Sequence, residues 1–161
     1  MWLWEYAAAM TAEKTLFLED LPVGSVLTSA ARTISADDIA EYCDLSGDHN
    51  PLHTDDAWVR ANTPFRERIA HGLLVLGASS GTPCPEMDAL LIIAYLSESR
   101  DFKAPTYPGE AITTTWTVTE NRPSQSKPDR GIVRMAVECV KDDGTVVQSG
   151  EDVLLVGRRP A

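Results

Sequence analysis

The chain has 161 residues, 43% of them hydrophobic and 24% charged, and 24 acidic against 14 basic side chains give it a formal net charge of −10. These proportions describe one globular domain with enough chain to build a core. The acidic excess argues against broad binding to nucleic acid or an anionic membrane, and no run of eighteen apolar residues is present to form a spanning helix.

Residues 1–15 read as a disordered or loosely docked leader: the stretch from Met1 to Met10 is apolar but carries Glu5 and has no basic residue before Lys14, a poor secretory signal. Residues 16–161 read as a single domain. Phe17 and Leu18 open it, Pro22-Val23-Gly24 makes a turn, and residues 26–34 read as a first strand. Ser35 then suits a helix N-cap, with Asp37 and Asp38 in the first turn where the dipole favours negative charge. Ile39, Tyr42 and Cys43 share one face at helical spacing, so residues 36–46 are expected to be an amphipathic helix ended by Gly47. A loop follows over 48–53, and Thr54 is expected to cap a short helix reaching about Asn62.

From Gly72 to Gly81 there is no charge at all. Periodicity cannot tell buried helix from buried strand there. The small residues Gly77, Ala78 and Gly81 on one side favour a central helix against which a sheet can wrap closely, ended by Gly81-Thr82-Pro83. The remainder is β in character. Residues 90–102 and 112–119 read as strands, 121–131 as a polar loop, and 132–141 and 145–156 as a hairpin across Asp142-Asp143-Gly144. The class is therefore α+β, an antiparallel β-sheet wrapped around a long central α-helix. Cys43, Cys84 and Cys139 are an odd number without paired spacing, which fits reduced thiols in a cytoplasmic protein.

The chemistry concentrates in Ser46-Gly47-Asp48-His49-Asn50-Pro51-Leu52-His53. Pro51 fixes its own φ and drives Asn50 out of the helical region, so a turn between Asp48 and His53 can fold the imidazole back towards the carboxylate. A carboxylate and an imidazole that reach one water form a proton-transfer site, and histidine titrates near neutrality. Two plainer readings stand beside this one: Asp48 as a turn cap with His53 a polar loop residue, or a metal site built from the crowded Asp48, His49, His53, Asp55 and Asp56. Zinc-type ligand spacing is missing, so no metal is expected.

Three blocks in order then resemble the MaoC-like, (R)-specific enoyl-CoA hydratase family, which has the hotdog fold. They are the octapeptide above, the segment Phe65-Arg66-Glu67-Arg68-Ile69-Ala70-His71-Gly72-Leu73-Leu74, and the segment Phe102-Lys103-Ala104-Pro105-Thr106-Tyr107-Pro108-Gly109-Glu110. The resemblance implies hydration of 2-enoyl thioesters to (R)-3-hydroxyacyl thioesters, or the reverse dehydration. His53 would be the general base and Asp48 would orient the water. Gly72 would bind the thioester carbonyl through its backbone N–H, a role that suits the opening of a helix.

The resemblance places Ser80 near the pocket and implies no cofactor, CoA being part of the substrate. Asn50 is expected at the pocket too, shaping its loop. His49 is read as a neighbour only, and His71 as fixing the turn before the helix. Arg66, Arg68 and Lys103 are the candidate partners of CoA phosphates. An acyl-CoA or acyl-carrier-protein thioester is the expected partner molecule, and a homodimer or larger assembly the expected state. A hotdog acyl-CoA thioesterase and a non-catalytic hotdog partner subunit are the competing functions.

Overall fold

The computed structural model describes residues 15–160, so the expected leader lies outside the described residues except for Thr15. A 3₁₀ turn over Leu18–Asp20 leads into β1 (Val26–Thr28) and β2 (Arg32–Thr33), followed by α1 (Ala36–Ser46), α2 (Pro51–Thr54), α3 (Asp56–Asn62), α4 (Gly72–Gly81) and α5 (Pro85–Ala89). Four long strands complete the chain: β3 (Ile92–Phe102), β4 (Ala111–Pro123), β5 (Arg130–Lys141) and β6 (Val146–Gly157). The sheet order is β1-β4-β5-β6-β3, with β2 also pairing β4, and every pairing is antiparallel. This is the hotdog architecture expected from the sequence.

Local chemistry explains where α1 starts and stops. The Ser35 hydroxyl accepts from the Asp38 N–H at 3.0 Å, and the Asp38 carboxylate accepts from the Ser35 N–H at 2.7 Å. That reciprocal pair satisfies two donors no helical carbonyl can reach. Gly47 closes the helix at φ 76°, a left-handed conformation that side chains disfavour, and its N–H bonds to the Cys43 carbonyl.

Several expectations need correction. The single strand over 26–34 is broken, because Ser29 exchanges hydrogen bonds with Thr114 while the Ala30 N–H turns away to the Pro83 carbonyl. The segment 48–53 is only partly a loop: Pro51 opens a helical turn, with Asn50 as its cap, its side chain accepting from the Leu52 N–H at 2.9 Å. Asp55, not Thr54, caps α3, accepting from the Trp58 N–H. The polar loop expected over 121–131 is shorter, 124–129, since Asn121, Arg122 and Pro123 pair with Val133, Ile132 and Gly131. Asn121 looks like a loop residue, yet its side-chain amide donates to the carbonyls of Leu18 and Leu21, each at 2.7 Å, so a tertiary bond holds it extended.

Of the small residues of α4, Ala78 packs against the core beneath the sheet, but Gly77 and Gly81 do not. A Cβ at Gly77 or Gly81 would meet nothing within 4 Å, whereas Val75 and Ser79 are the buried side. Val75 packs with Ile34, Ile39, Ala70, Ile112, Cys139 and Val147 in one core cluster. A second cluster gathers Leu18, Leu21, Leu27, Leu90, Trp116, Met135 and Leu154. β4 shows why: from Ile112 to Val118 every second side chain is buried, the period of a half-covered sheet. All three cysteines are buried and unpaired, in keeping with the expected reduced thiols. Among the described residues no helix is long and apolar enough to cross a membrane.

One buried group of charges interrupts the apolar interior. Asp152 on β6 is fully buried, and its carboxylate accepts from Trp116 Nε1–H at 2.9 Å and from the Tyr95 hydroxyl at 3.2 Å. The Arg100 guanidinium lies 2.7 Å from Asp152 and 3.1 Å from Glu98. Burial, with the Asp152 charge beside it, pushes the Tyr95 phenol well above its ordinary range.

Candidate active site

A cavity of about 650 Å³ opens where α1, the octapeptide, the start of α4 and the ends of β3 and β6 meet. Its volume is that of a small-molecule site. Asp48, His53, Gly72, Phe102, Lys103 and Gln148 are among the residues that line it.

The turn predicted from Asn50-Pro51 does fold His53 back. The His53 N–H bonds to the Asn50 carbonyl at 2.9 Å, and the Asn50 N–H bonds to the Asp48 carboxylate at 3.2 Å. One side-chain ligand atom each of Asp48, His53 and His71 falls within a 4.8 Å group. His53 Nδ1 lies 2.8 Å from the Ile69 carbonyl oxygen, which can only accept, so Nδ1 carries the proton and Nε2 keeps its lone pair. Burial pushes the His53 imidazole below its ordinary value of 6.5. The bond to Ile69 and the Asp48 charge oppose that shift, and His71 adds to it. His53 is therefore neutral at pH 7, the form a base requires.

His71 has a larger part than the sequence suggests. It is 3% exposed, and its ring stacks on His53 with centroids 3.7 Å apart and planes 26° from parallel. Its Nε2–H donates to the Asp48 backbone carbonyl at 3.0 Å, and the same nitrogen is 3.9 Å from the Asp48 carboxylate. His71 thus pins the octapeptide over the helix start and braces the face of the neighbouring imidazole. The stacked rings also bear on metal chemistry. In-plane lone pairs on two nearly parallel rings do not converge on one ion, and one nitrogen of each ring already serves a carbonyl.

α4 presents its N-terminus to the cavity without a side-chain cap from His71. The first-turn N–H groups of such a helix have no intrahelical acceptor, and the dipole favours negative charge beside them. A side chain at position 72 would crowd the Phe102 ring: a Cβ would lie 2.7 Å from Phe102 Cε1 and 2.8 Å from Cδ1, so the ring would have to move aside.

Other expected site residues fall elsewhere. Ser80 does not line this cavity; it is exposed and its hydroxyl donates back to the Leu76 carbonyl at 3.0 Å, a bond that satisfies it within the helix. Asn50 stays outside the lining, spent on capping α2. His49 is exposed, 4.0 Å from Asp44, and makes no part of the wall. Arg66 is 3.2 Å from Glu67, 3.6 Å from Glu110 and stacked 4.2 Å over the Tyr107 ring, so it is already engaged. Arg68 offers its backbone N–H to Asp56 and does not reach the cavity. Lys103 does line it, paired with Asp101 at 2.8 Å. Sequence reasoning missed Gln148 and Phe102. The signal for Gln148 was an amide following Val146-Val147 on a core strand, where a polar group needs a stated partner.

Comparison with known proteins agrees with this geometry. The chain is 36% identical over 146 residues to an (R)-specific enoyl-CoA hydratase of Rhodospirillum rubrum, covering 89% of this chain and 93% of that protein. It is 33% identical over 149 residues to a 3-hydroxybutyryl-CoA dehydratase of Methylorubrum extorquens, covering 91% of this chain and 87% of the relative. The solved structure of a MaoC-like dehydratase from Rhodospirillum rubrum superposes with a TM-score of 0.75 at 28% identity, over 91% of this chain and 99% of that one. The model of the MaoC like domain matches residues 19–139, from the opening 3₁₀ turn well into β5 and across the whole octapeptide and α4. With the Asp48–His53 segment and the uncapped central helix in the matched region, the chain belongs to the MaoC like domain family.

Proposed function

We propose that this protein adds water across the 2,3-double bond of an enoyl thioester to give an (R)-3-hydroxyacyl thioester, and catalyses the reverse dehydration. The observation that carries the reading is the placement of Asp48 and His53 together at a cavity that the uncapped start of α4 also lines. His53 Nε2 takes a proton from a water that Asp48 orients, and the water oxygen bonds to C3. The π electrons move towards the thioester carbonyl, and the Gly72 N–H stabilises the charge that builds on its oxygen. The enolate collapses as a proton from the same acid–base pair reaches C2, so one water is added overall. The relatives named for (R)-specific hydration and for dehydration support both directions and the stereochemistry.

The carrier is CoA or an acyl carrier protein, and no separate cofactor takes part. Lys103 at the cavity wall is the first candidate for a CoA phosphate, with Arg66 and Arg68 behind it. The protein acts as a homodimer or a larger homo-oligomer in the cytoplasm. β3 is an outer strand of the sheet, and Ile93, Leu96 and Phe102 on it are exposed, as are Leu91 just before it and Leu73 on α4 at 60%. An apolar edge of that length is an invitation to pair. The bare Gly77 and Gly81 leave room for a second copy against α4.

The test is to mix the protein with crotonyl-CoA and follow conjugated-enoyl absorbance and free thiol together. Hydration removes absorbance without releasing thiol. Thiol release identifies a thioesterase instead, and an unchanged mixture removes the enzymatic reading.

A further inference from the structure

We infer that Gln148 is a positioning residue for the carbonyl-binding turn, acting through the Gly72–Leu73 peptide, and that the Leu73 N–H is a second donor to the thioester oxygen; this rests on the hydratase reading of the site. Gln148 sits on β6, 2% exposed, and its Nε2 lies 2.7 Å from the Gly72 carbonyl oxygen. Reversing the carboxamide would set oxygen against oxygen, so the nitrogen must face Gly72 and donate. The C=O and N–H of a trans peptide point in opposite directions from one rigid plane. A donor that holds the Gly72 oxygen therefore fixes the direction of the Leu73 N–H.

That N–H belongs to the first turn of α4, which His71 leaves without a side-chain cap, and both Gly72 and Leu73 line the cavity. The chain of bonds runs from the Gln148 amide to the Gly72 carbonyl, through the peptide to the Leu73 N–H, and on to the substrate oxygen. Each link polarises the next. Phe102 holds the same residue from another side. It is the cross-strand partner of Gln148, and its ring fills the space beside the Gly72 Cα.

The Gln148 side chain is bound at one end only. Its Oε1 is buried without a hydrogen-bond partner among the described residues. An apolar side chain of similar size would escape that penalty, so packing alone does not account for an amide here. The bond to Gly72 does.

The experiment compares wild type with Gln148→Leu and Gln148→Met on crotonyl-CoA. Losing a direct oxyanion donor typically lowers kcat about 10²–10³-fold, and an indirect holder of that donor should lower it about 10-fold or more, with KM within about threefold and the acid limb of the pH profile unmoved. The stretch of a ¹³C-labelled thioester carbonyl in bound butyryl-CoA should move back towards its frequency in water. A folded variant with kcat within about twofold of wild type, or with the wild-type carbonyl frequency, overturns the inference. In the wild type itself, the Gln148 side-chain amide resonances should shift when butyryl-CoA binds; unshifted resonances overturn it whether or not the variants fold. A wild type inert towards crotonyl-CoA sinks the hydratase reading, whereas an active wild type with indifferent Gln148 variants sinks this inference alone.

Discussion

Two groups of ionisable side chains occupy this fold, and they differ in what surrounds them. At the cavity, Asp48 is exposed and His53 half-buried, the imidazole keeps one nitrogen free, and open space adjoins both. Within the sheet, Asp152 is held by Arg100, Trp116 and Tyr95, with Glu98 completing the set. The inner cluster holds more charge but none of its members lines the cavity. Its groups are held to one another by an ion pair of 2.7 Å and by the bonds of Trp116 and Tyr95 to Asp152. The contrast teaches that reactivity here follows from incomplete pairing beside a cavity rather than from the number of titratable residues.

Exchanging roles between the two regions would break that comparison. The largest effect is expected at the cavity. His53→Gln or Asp48→Asn should lower kcat/KM for enoyl-CoA hydration by about 10²–10⁴-fold, the usual worth of general acid–base catalysis, with the unfolding midpoint nearly unchanged. Turnover close to wild type in a folded His53→Gln protein would remove the assignment. The inner cluster should respond in the opposite sense. Arg100→Met strands the fully buried Asp152 carboxylate, and its urea unfolding curve should show a loss of about 3–5 kcal/mol while the folded fraction keeps its activity. If the variant were as stable as wild type but inactive, the division of labour would be wrong.

A gentler perturbation is pH. Burial holds the His53 pKa below 6.5, so the neutral base persists through neutrality, and the acid limb of kcat/KM should fall below that value. The same displacement has a stability sign: the unfolded chain takes up the proton first as pH drops, so this contribution to folding is present above 6.5 and is lost on going down through the folded pKa. An acid limb above 6.5 would show that the base is not a desolvated imidazole. The smallest effect is expected at Ser80→Ala. That hydroxyl bonds inside its own helix and lies outside the cavity, so activity should stay within about twofold. A large loss would place it in a site that only an assembled oligomer completes.

Legibility followed distance along the chain. The limits of α1 could be read from Ser35, Asp38 and Gly47, because a cap and a left-handed glycine act within a few residues. The charge-free run from Gly72 to Gly81 likewise gave α4 its bounds. The break at Ser29–Ala31 could not be read, because it answers to Thr114 and Pro83. The strand at Asn121 was hidden for the same reason, its amide being claimed by carbonyls about a hundred residues earlier. Within the site, Asp48 and His53 were legible as a turn-linked pair. His71 was visible but undervalued, since nothing in its neighbourhood shows that it will stack on His53.

By itself the sequence determined the elements whose causes are local: the capped helix, the Asn-Pro turn that returns an imidazole towards a carboxylate, and the bounds of the uncharged helix, though only Val75 and Ser79 of its ten residues are buried. The tertiary structure alone decided which face of α4 meets the sheet, which arginine is sealed against Asp152, and that Gln148 reaches Gly72 across 76 residues of chain. The physical reason is that caps and turns are settled by the torsions and hydrogen bonds of a few adjacent residues. Face and partner depend instead on strand register, and in a sheet a shift of one residue turns every side chain to the other side.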